Sequence, residues 1–161
     1  LLLLILRAAF RQGFRSCGAA FAVSILLFTI GILIALVGTT QSSPAWVPSH
    51  YQAMIPGAVL VAFMGITTDL VPTLGHRLPS ERLATVQPFL YGGGILAASI
   101  AMLWAALLGG ERHGYFVTIP TMGPAVLLWI GGLASGIGVL AFAGNIFGAL
   151  LAATARRPIA S

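Results

Sequence analysis

Four long apolar runs, separated by short polar segments, dominate the chain. They extend over about 17–37, 50–71, 88–108 and 124–153. A helix that crosses roughly 30 Å of hydrocarbon needs about 20 apolar residues. Lipid offers no partner for backbone amides, so an open chain can satisfy its backbone there only as helix. The pattern therefore predicts an all-α integral membrane protein, a single domain of residues 1–161 with four transmembrane helices.

The composition excludes a soluble domain. Hydrophobic residues make up 58% of the chain and charged residues only 7%, whereas a soluble domain carries roughly a quarter charged residues. The net charge of +5 comes from eight basic residues, all arginine, against three acids. These arginines flank the apolar runs, which is typical of membrane topology. We therefore expect the lipid bilayer as a partner and no nucleic acid.

The distribution of arginines predicts the orientation. If the chain crosses four times, seven arginines fall on one side and only Arg112 on the other. Positive residues mark the cytoplasmic side, so we expect both termini there, in a bacterial-type inner membrane or its organellar equivalent. Aromatic residues then form a belt at the outer interface: Trp46, Tyr51, Tyr115 and Phe116. The seven arginines are Arg7, Arg11, Arg15, Arg77, Arg82, Arg156 and Arg157.

Glycines recur at a spacing of four in the last run, as Gly132 with Gly136 and Gly144 with Gly148. Small residues at this spacing let two membrane helices approach closely. Two interpretations remain open: an interface with a partner subunit, or packing within this bundle.

A few single residues inside the runs also predict local features. Pro56 should kink the second helix and free a backbone carbonyl near Gln52. Asp69 is expected to be solvated or paired with an arginine of the following loop. Asn145 is expected to hydrogen-bond between helices. Cys17 has no second cysteine to pair with and is expected only to pack.

His50 is the first candidate for chemistry. A histidine at the end of a membrane helix is most often solvated or hydrogen-bonded. Neutral imidazole is also a good axial ligand for haem iron, and the small residues Ala53, Gly57 and Ala58 would leave an apolar slot beside it. Both interpretations stay open on chemistry alone.

The string WVPSHYQAMIPGAVLVAFMGITTDLVPTLG, residues 46–75, resembles the tenth helix of subunit I of the haem–copper oxidase family, which includes cytochrome c oxidases and nitric oxide reductases. QPFLYGGG, residues 87–94, resembles the start of the eleventh helix, and GGERHGYF, residues 109–116, resembles the outer turn that follows it. The order and spacing agree over the whole chain, which would correspond to helices nine to twelve.

This resemblance implies specific roles. His50 matches the ligand of the high-spin haem iron, so it is the candidate metal ligand. Gln52 stands where the family has the low-spin haem ligand, and a glutamine amide is a poor iron ligand. Arg112 matches the first of two basic residues that meet haem propionates, and His113 replaces the second. The remaining histidine is His76, so the chain has no copper site of its own.

Three functions remain open. The first is a haem-free structural or accessory subunit of a respiratory or photosynthetic electron-transfer complex, with other membrane subunits as partners and no catalysis by itself. The second is the C-terminal piece of a split oxidase, in which His50 ligates a high-spin haem that reduces oxygen or nitric oxide. The third is an unrelated small membrane protein, such as a transporter half or an assembly factor. We favour the first.

Overall fold

The computed structural model describes residues 16–40, 46–109, 112–113, 116–117 and 121–154. Two two-residue strands, β1 (Arg112–His113) and β2 (Phe116–Val117), pair antiparallel. Four helical spans are long and apolar enough to cross a membrane, which confirms the all-α fold with four transmembrane helices. The helical elements are α1 (Ser16–Gly38), α2 (Trp46–Gln52), a π-helical segment (Ala53–Val59), α3 (Leu60–Thr73), α4 (Glu81–Leu107) and α5 (Met122–Thr154).

Consecutive spans run in opposite directions. The second span consists of α2, the π segment and α3. Its start lies beside the C-terminal part of α4, where Ser49 Oγ donates to the Ser99 carbonyl at 2.6 Å. The start of α4 in turn lies beside the end of α5, where Asn145 bonds to Ser80. The loop between α3 and α4 and the last turns of α5 therefore share one end of the bundle.

That shared end carries Arg77 and Arg82, and the orientation of this end in the membrane stays a prediction. Arg7, Arg11, Arg15, Arg156 and Arg157 lie outside the described residues.

The core lies between α1, the second span and α4, and it is made of Leu27, Val61, Met64, Tyr91 and Ile95 with small alanines around them. Burial differs sharply among the spans. The most apolar stretches of the first three are 39%, 39% and 44% buried, but that of α5 is only 11% buried. Helix α5 is therefore a peripheral helix that rests mainly on α4.

Some glycines of α5 pack within the bundle, and others face outward, where a partner subunit could contact them. A side chain at Gly131 would come within 2.6 Å of the Gly94 carbonyl, and nothing lies within 4 Å of such a side chain at Gly132 or Gly136. In the second pair, Gly144 is open and Gly148 packs against Pro79. Packing within the bundle thus uses Gly131 and Gly148, while Gly132, Gly136 and Gly144 face outward.

Two helices begin earlier than the apolar runs indicate. Helix α4 begins at Glu81 instead of 88, because the Ser80 hydroxyl caps it by accepting from the Leu83 amide at 3.1 Å. A serine at this position satisfies an amide that the first turn leaves free. The second span begins at Trp46 instead of 50. Pro48 lies in its first turn, where the missing N–H of proline costs no hydrogen bond.

The two polar residues expected within the spans have different outcomes. Asn145 is buried, its Nδ2 donates to the Ser80 carbonyl, and its Oδ1 accepts from the Ser80 amide, each at 3.0 Å. It thus joins α5 to the residue that caps α4, close to the expected interhelical role. Asp69 is exposed. Among the described residues it has no ion-pair partner, so the structure does not show the pairing with a loop arginine, and its solvation stays a prediction.

Candidate functional site

His50 lies in α2, three residues before the π segment begins, and its ring faces α1. Its Nδ1 is 2.8 Å from the Gly31 carbonyl oxygen. A carbonyl only accepts, so Nδ1 must carry the proton and donate. In the neutral ring the other nitrogen, Nε2, then keeps its lone pair, and it has no hydrogen bond to any residue that the structure describes. This is the tautomer in which imidazole binds a metal through Nε2.

Aromatic rings flank the His50 imidazole on its own helix. The Trp46 ring centroid lies 6.2 Å away and the Tyr51 centroid 5.2 Å away, both tilted by more than 50°. His50 itself is half-buried. The ring is thus oriented by one backbone hydrogen bond and by neighbouring aromatic surfaces.

Gln52 faces a different part of the molecule. It lines a groove of 570 Å³ together with Tyr51 and five apolar residues, Val47, Pro48, Ile55, Pro56 and Met102. Residues two apart on a helix point about 200° away from each other. His50 consequently does not line this groove, and the two positions of the oxidase-like motif serve opposite faces of one helix.

Pro56 produces a change of helix type. The chain adopts a π-helix over Ala53–Val59, with Pro56 at its middle. Wider turns of this kind re-satisfy backbone groups that a proline disturbs. Two buried hydroxyls bond to carbonyls of the segment: Tyr91 donates to the Pro56 carbonyl at 2.7 Å, and Ser24 to the Ala58 carbonyl at 2.8 Å. The polar contacts thus fall on the carbonyls of 56 and 58, C-terminal to the position expected near Gln52.

Arg112 belongs to β1, where its backbone pairs with Val117. The side chains of Arg112, His113 and Phe116 lie outside what the structure describes, as does all of Tyr115. The propionate contact of Arg112 therefore stays a prediction.

The two histidines whose side chains the structure describes are far apart. His50 lies near the start of the second span and His76 just beyond its end, where the His76 amide donates to the Val71 carbonyl. At 1.5 Å per residue the span between them is roughly 35 Å long. Within the part of the chain that the structure describes, no three His, Cys, Asp or Glu residues come together as a metal site.

Two features of this region could not be read from the sequence. Gly31 supplies the carbonyl that orients His50, although 19 residues separate them. Gln87 is fully buried in α4, and neither its amide nitrogen nor its amide oxygen has a hydrogen-bond partner among the residues that the structure describes. For Gln87, the only signal in the sequence was a glutamine next to an apolar run. For the contact between Gly31 and His50, the sequence held no signal.

Comparison with known proteins leaves the relationship open: the chain matches no family model, no curated protein and no solved structure. The oxidase relationship therefore rests on the sequence strings alone and stays a prediction.

Proposed function

We propose that this chain is a membrane subunit related to the C-terminal part of haem–copper oxidase subunit I. Its role is that of a structural or accessory subunit in a respiratory or photosynthetic electron-transfer complex, without catalysis of its own. Both termini are cytoplasmic, in a bacterial-type inner membrane or its organellar equivalent. The observation that carries the accessory role is the outward face of α5.

The outward face of α5 is shaped for another helix. Lipid satisfies exposed apolar side chains such as Trp129, which is 80% exposed, so exposure alone needs no partner. The open glycines Gly132 and Gly136 are different, because small residues four apart let a second helix approach at backbone distance. Such a close contact gains dispersion energy that lipid tails do not supply equally well. This face supports assembly with a neighbouring membrane subunit.

A second candidate function is supported by His50. In this alternative the chain is the C-terminal piece of a split oxidase, and Nε2 of His50 is the axial donor to a high-spin haem. The hydrogen bond from Nδ1 to Gly31 supports it, since it leaves Nε2 unprotonated. These residues could supply one axial ligand to haem iron, which is His50. Gln52 could not supply a second, because its amide is a poor iron ligand and it lies on the other face of the helix. A bound haem would supply the iron at which oxygen or nitric oxide is reduced.

The test of the proposal is purification of the tagged chain from its native membranes in mild detergent. We expect it to co-purify with membrane subunits that show a reduced-minus-oxidised haem spectrum. Recovery of the chain alone, or only with proteins that carry no redox centre, would contradict the accessory role. The variant Gly132→Leu with Gly136→Leu should lose these partners while the chain stays helical.

His50→Ala separates the two candidates, with His76→Ala as the matched control at the other end. An accessory subunit predicts that the haem spectrum of the complex is unchanged in both variants. The split-oxidase alternative predicts loss of a high-spin signal in His50→Ala only, with assembly intact.

A further inference from the structure

A cationic pocket of 460 Å³ lies at the opposite end of the bundle from His50. The loop between α3 and α4 contributes His76, Arg77 and Pro79, and the last turns of α5 contribute Gly148 and Ala152. Nothing in the oxidase-like motif accounts for this pocket.

The loop that forms the pocket is held in place at both ends. Gly75 ends α3 with a φ of +84°, a conformation that other residues rarely adopt. The Ser80 backbone forms two hydrogen bonds with buried Asn145. Pro79 lies directly against Gly148, where a side chain would come within 2.8 Å of the proline ring. The pocket is thus a feature of the packed structure.

The charge of this pocket is not neutralised within the described chain. Arg77 is exposed and His76 half-buried. The nearby acids, Asp69 and Glu81, form no ion pair with either of them or with any other described residue. The backbone amides of Arg77 and Leu78 also have no partner among the described residues. The pocket therefore offers a guanidinium, an imidazole and free amide donors, a set that suits a phosphate group.

We propose that this pocket binds the phosphate of an anionic phospholipid headgroup. The helices on either side of the loop end at Thr73 and begin at Glu81, so the pocket lies where hydrocarbon gives way to headgroups. Basic pockets between membrane helices at this level bind anionic lipids. The proposal needs only the membrane-spanning fold, so it does not depend on the oxidase relationship.

The neighbouring surface of α5 favours a lipid over free phosphate. Leu151, one residue from the pocket, is 68% exposed, and Leu140 is 73% exposed. Eleven residues make just over three turns, so these two leucines lie on one face about 16 Å apart. An acyl chain extending from a headgroup in the pocket would cover this face, whereas inorganic phosphate would leave it bare.

The experiment measures lipid retention by native mass spectrometry of the full chain in detergent, with added phosphatidylglycerol, phosphatidylcholine or inorganic phosphate. We expect retention of phosphatidylglycerol over phosphatidylcholine. Arg77→Gln should weaken that retention about fivefold, which corresponds to roughly 1 kcal/mol, because the pocket loses the guanidinium that would bond to the phosphate. Arg82→Gln is the matched control, since it removes the same charge outside the pocket and should change retention less than twofold.

A second variant tests the pocket without changing charge. Ala152→Leu fills the space beside Arg77 on an exposed position and should lower phosphatidylglycerol retention while the circular dichroism spectrum stays unchanged. Equal loss in Arg77→Gln and Arg82→Gln, equal retention of both lipids, or retention of inorganic phosphate without lipid would each overturn the proposal.

Discussion

The two ends of the bundle each carry a described histidine, and the fold treats them differently. At one end, helix packing brings the Gly31 carbonyl to Nδ1 of His50, and the proton position of the ring is fixed. At the other end, His76 lies in a loop beside Arg77, and its ring has no hydrogen-bond partner among the described residues. The difference shows that residue type alone does not define a site, because one ring is oriented by packed backbone and the other is left beside an open pocket.

The support behind the two ends also differs. At the His50 end, the hydroxyls of Ser24 and Tyr91 each give one hydrogen bond to a carbonyl of the π segment. At the Arg77 end, the side-chain hydrogen bonds from α5 to the loop both come from one residue, Asn145. Support by several separate bonds should weaken gradually under mutation, whereas support by one residue should fail at once. Four predictions test this comparison.

The largest effect is expected for Asn145→Ala. The change removes two hydrogen bonds and leaves the Ser80 amide without a partner, whereas the Ser80 carbonyl keeps its bond from the Ala84 amide, so the free energy of unfolding should fall by about 2–3 kcal/mol. Thermal unfolding in detergent micelles, followed by circular dichroism, would measure it. Ser135→Ala removes only the hydroxyl bond to the Gly132 carbonyl within its own helix and should change stability by less than about 0.5 kcal/mol. Equal effects of the two variants would show that the loop does not depend on Asn145.

Next in size is Gly148→Val, which places a side chain where the Pro79 ring lies. Overpacking at such a contact costs about 1–3 kcal/mol, and the loop should also shift enough to lower phosphatidylglycerol retention. Gly144→Val is the control on the same helix, because nothing lies within 4 Å of its new side chain. The same unfolding and lipid-retention measurements apply. If Gly144→Val is as damaging as Gly148→Val, the contact with Pro79 is not what matters.

A smaller effect is expected at the π segment. Tyr91→Phe and Ser24→Ala each remove one bond to a carbonyl, and hydrogen bonds of this kind between membrane helices are worth about 0.6–1.7 kcal/mol. Together they should be about additive if the two bonds are independent. Thr67→Ala, which loses only a bond within its own helix, is the reference in the unfolding measurement. A double variant as stable as this reference would show that the π segment does not rely on these hydroxyls.

The smallest effect concerns proton position and hardly changes stability. Nitrogen-15 NMR of the histidine rings in detergent micelles should show His50 with its proton on Nδ1, since that nitrogen donates to Gly31. His76 should instead show a mixture of tautomers, because no described carbonyl selects one. A neutral His50 ring with its proton on Nε2 would contradict the hydrogen bond from Nδ1 to Gly31. It would also contradict the proposal that Nε2 can bind a metal.

The membrane fold could be predicted from the sequence because its cause is local. Twenty consecutive apolar residues must be helical in lipid whatever they pack against, and the structure has four such helices. The bounds were less certain, because a single capping serine moved the start of α4 from 88 to 81. Glycine spacing indicated close helix packing but not which glycine faces a neighbour.

The sites depended on contacts between distant residues, and these only the tertiary structure decided. His50 was a candidate from its own chemistry and its surrounding string. Its tautomer follows from Gly31. Its separation from Gln52 follows from helix geometry alone, but only packing against α4 brings Met102 to the Gln52 groove. The pocket at Arg77 likewise needs Asn145 and Gly148, more than 60 residues further along the chain. A linear pattern determines which solvent a segment prefers, while the geometry of a site comes from side chains that meet only after the helices pack.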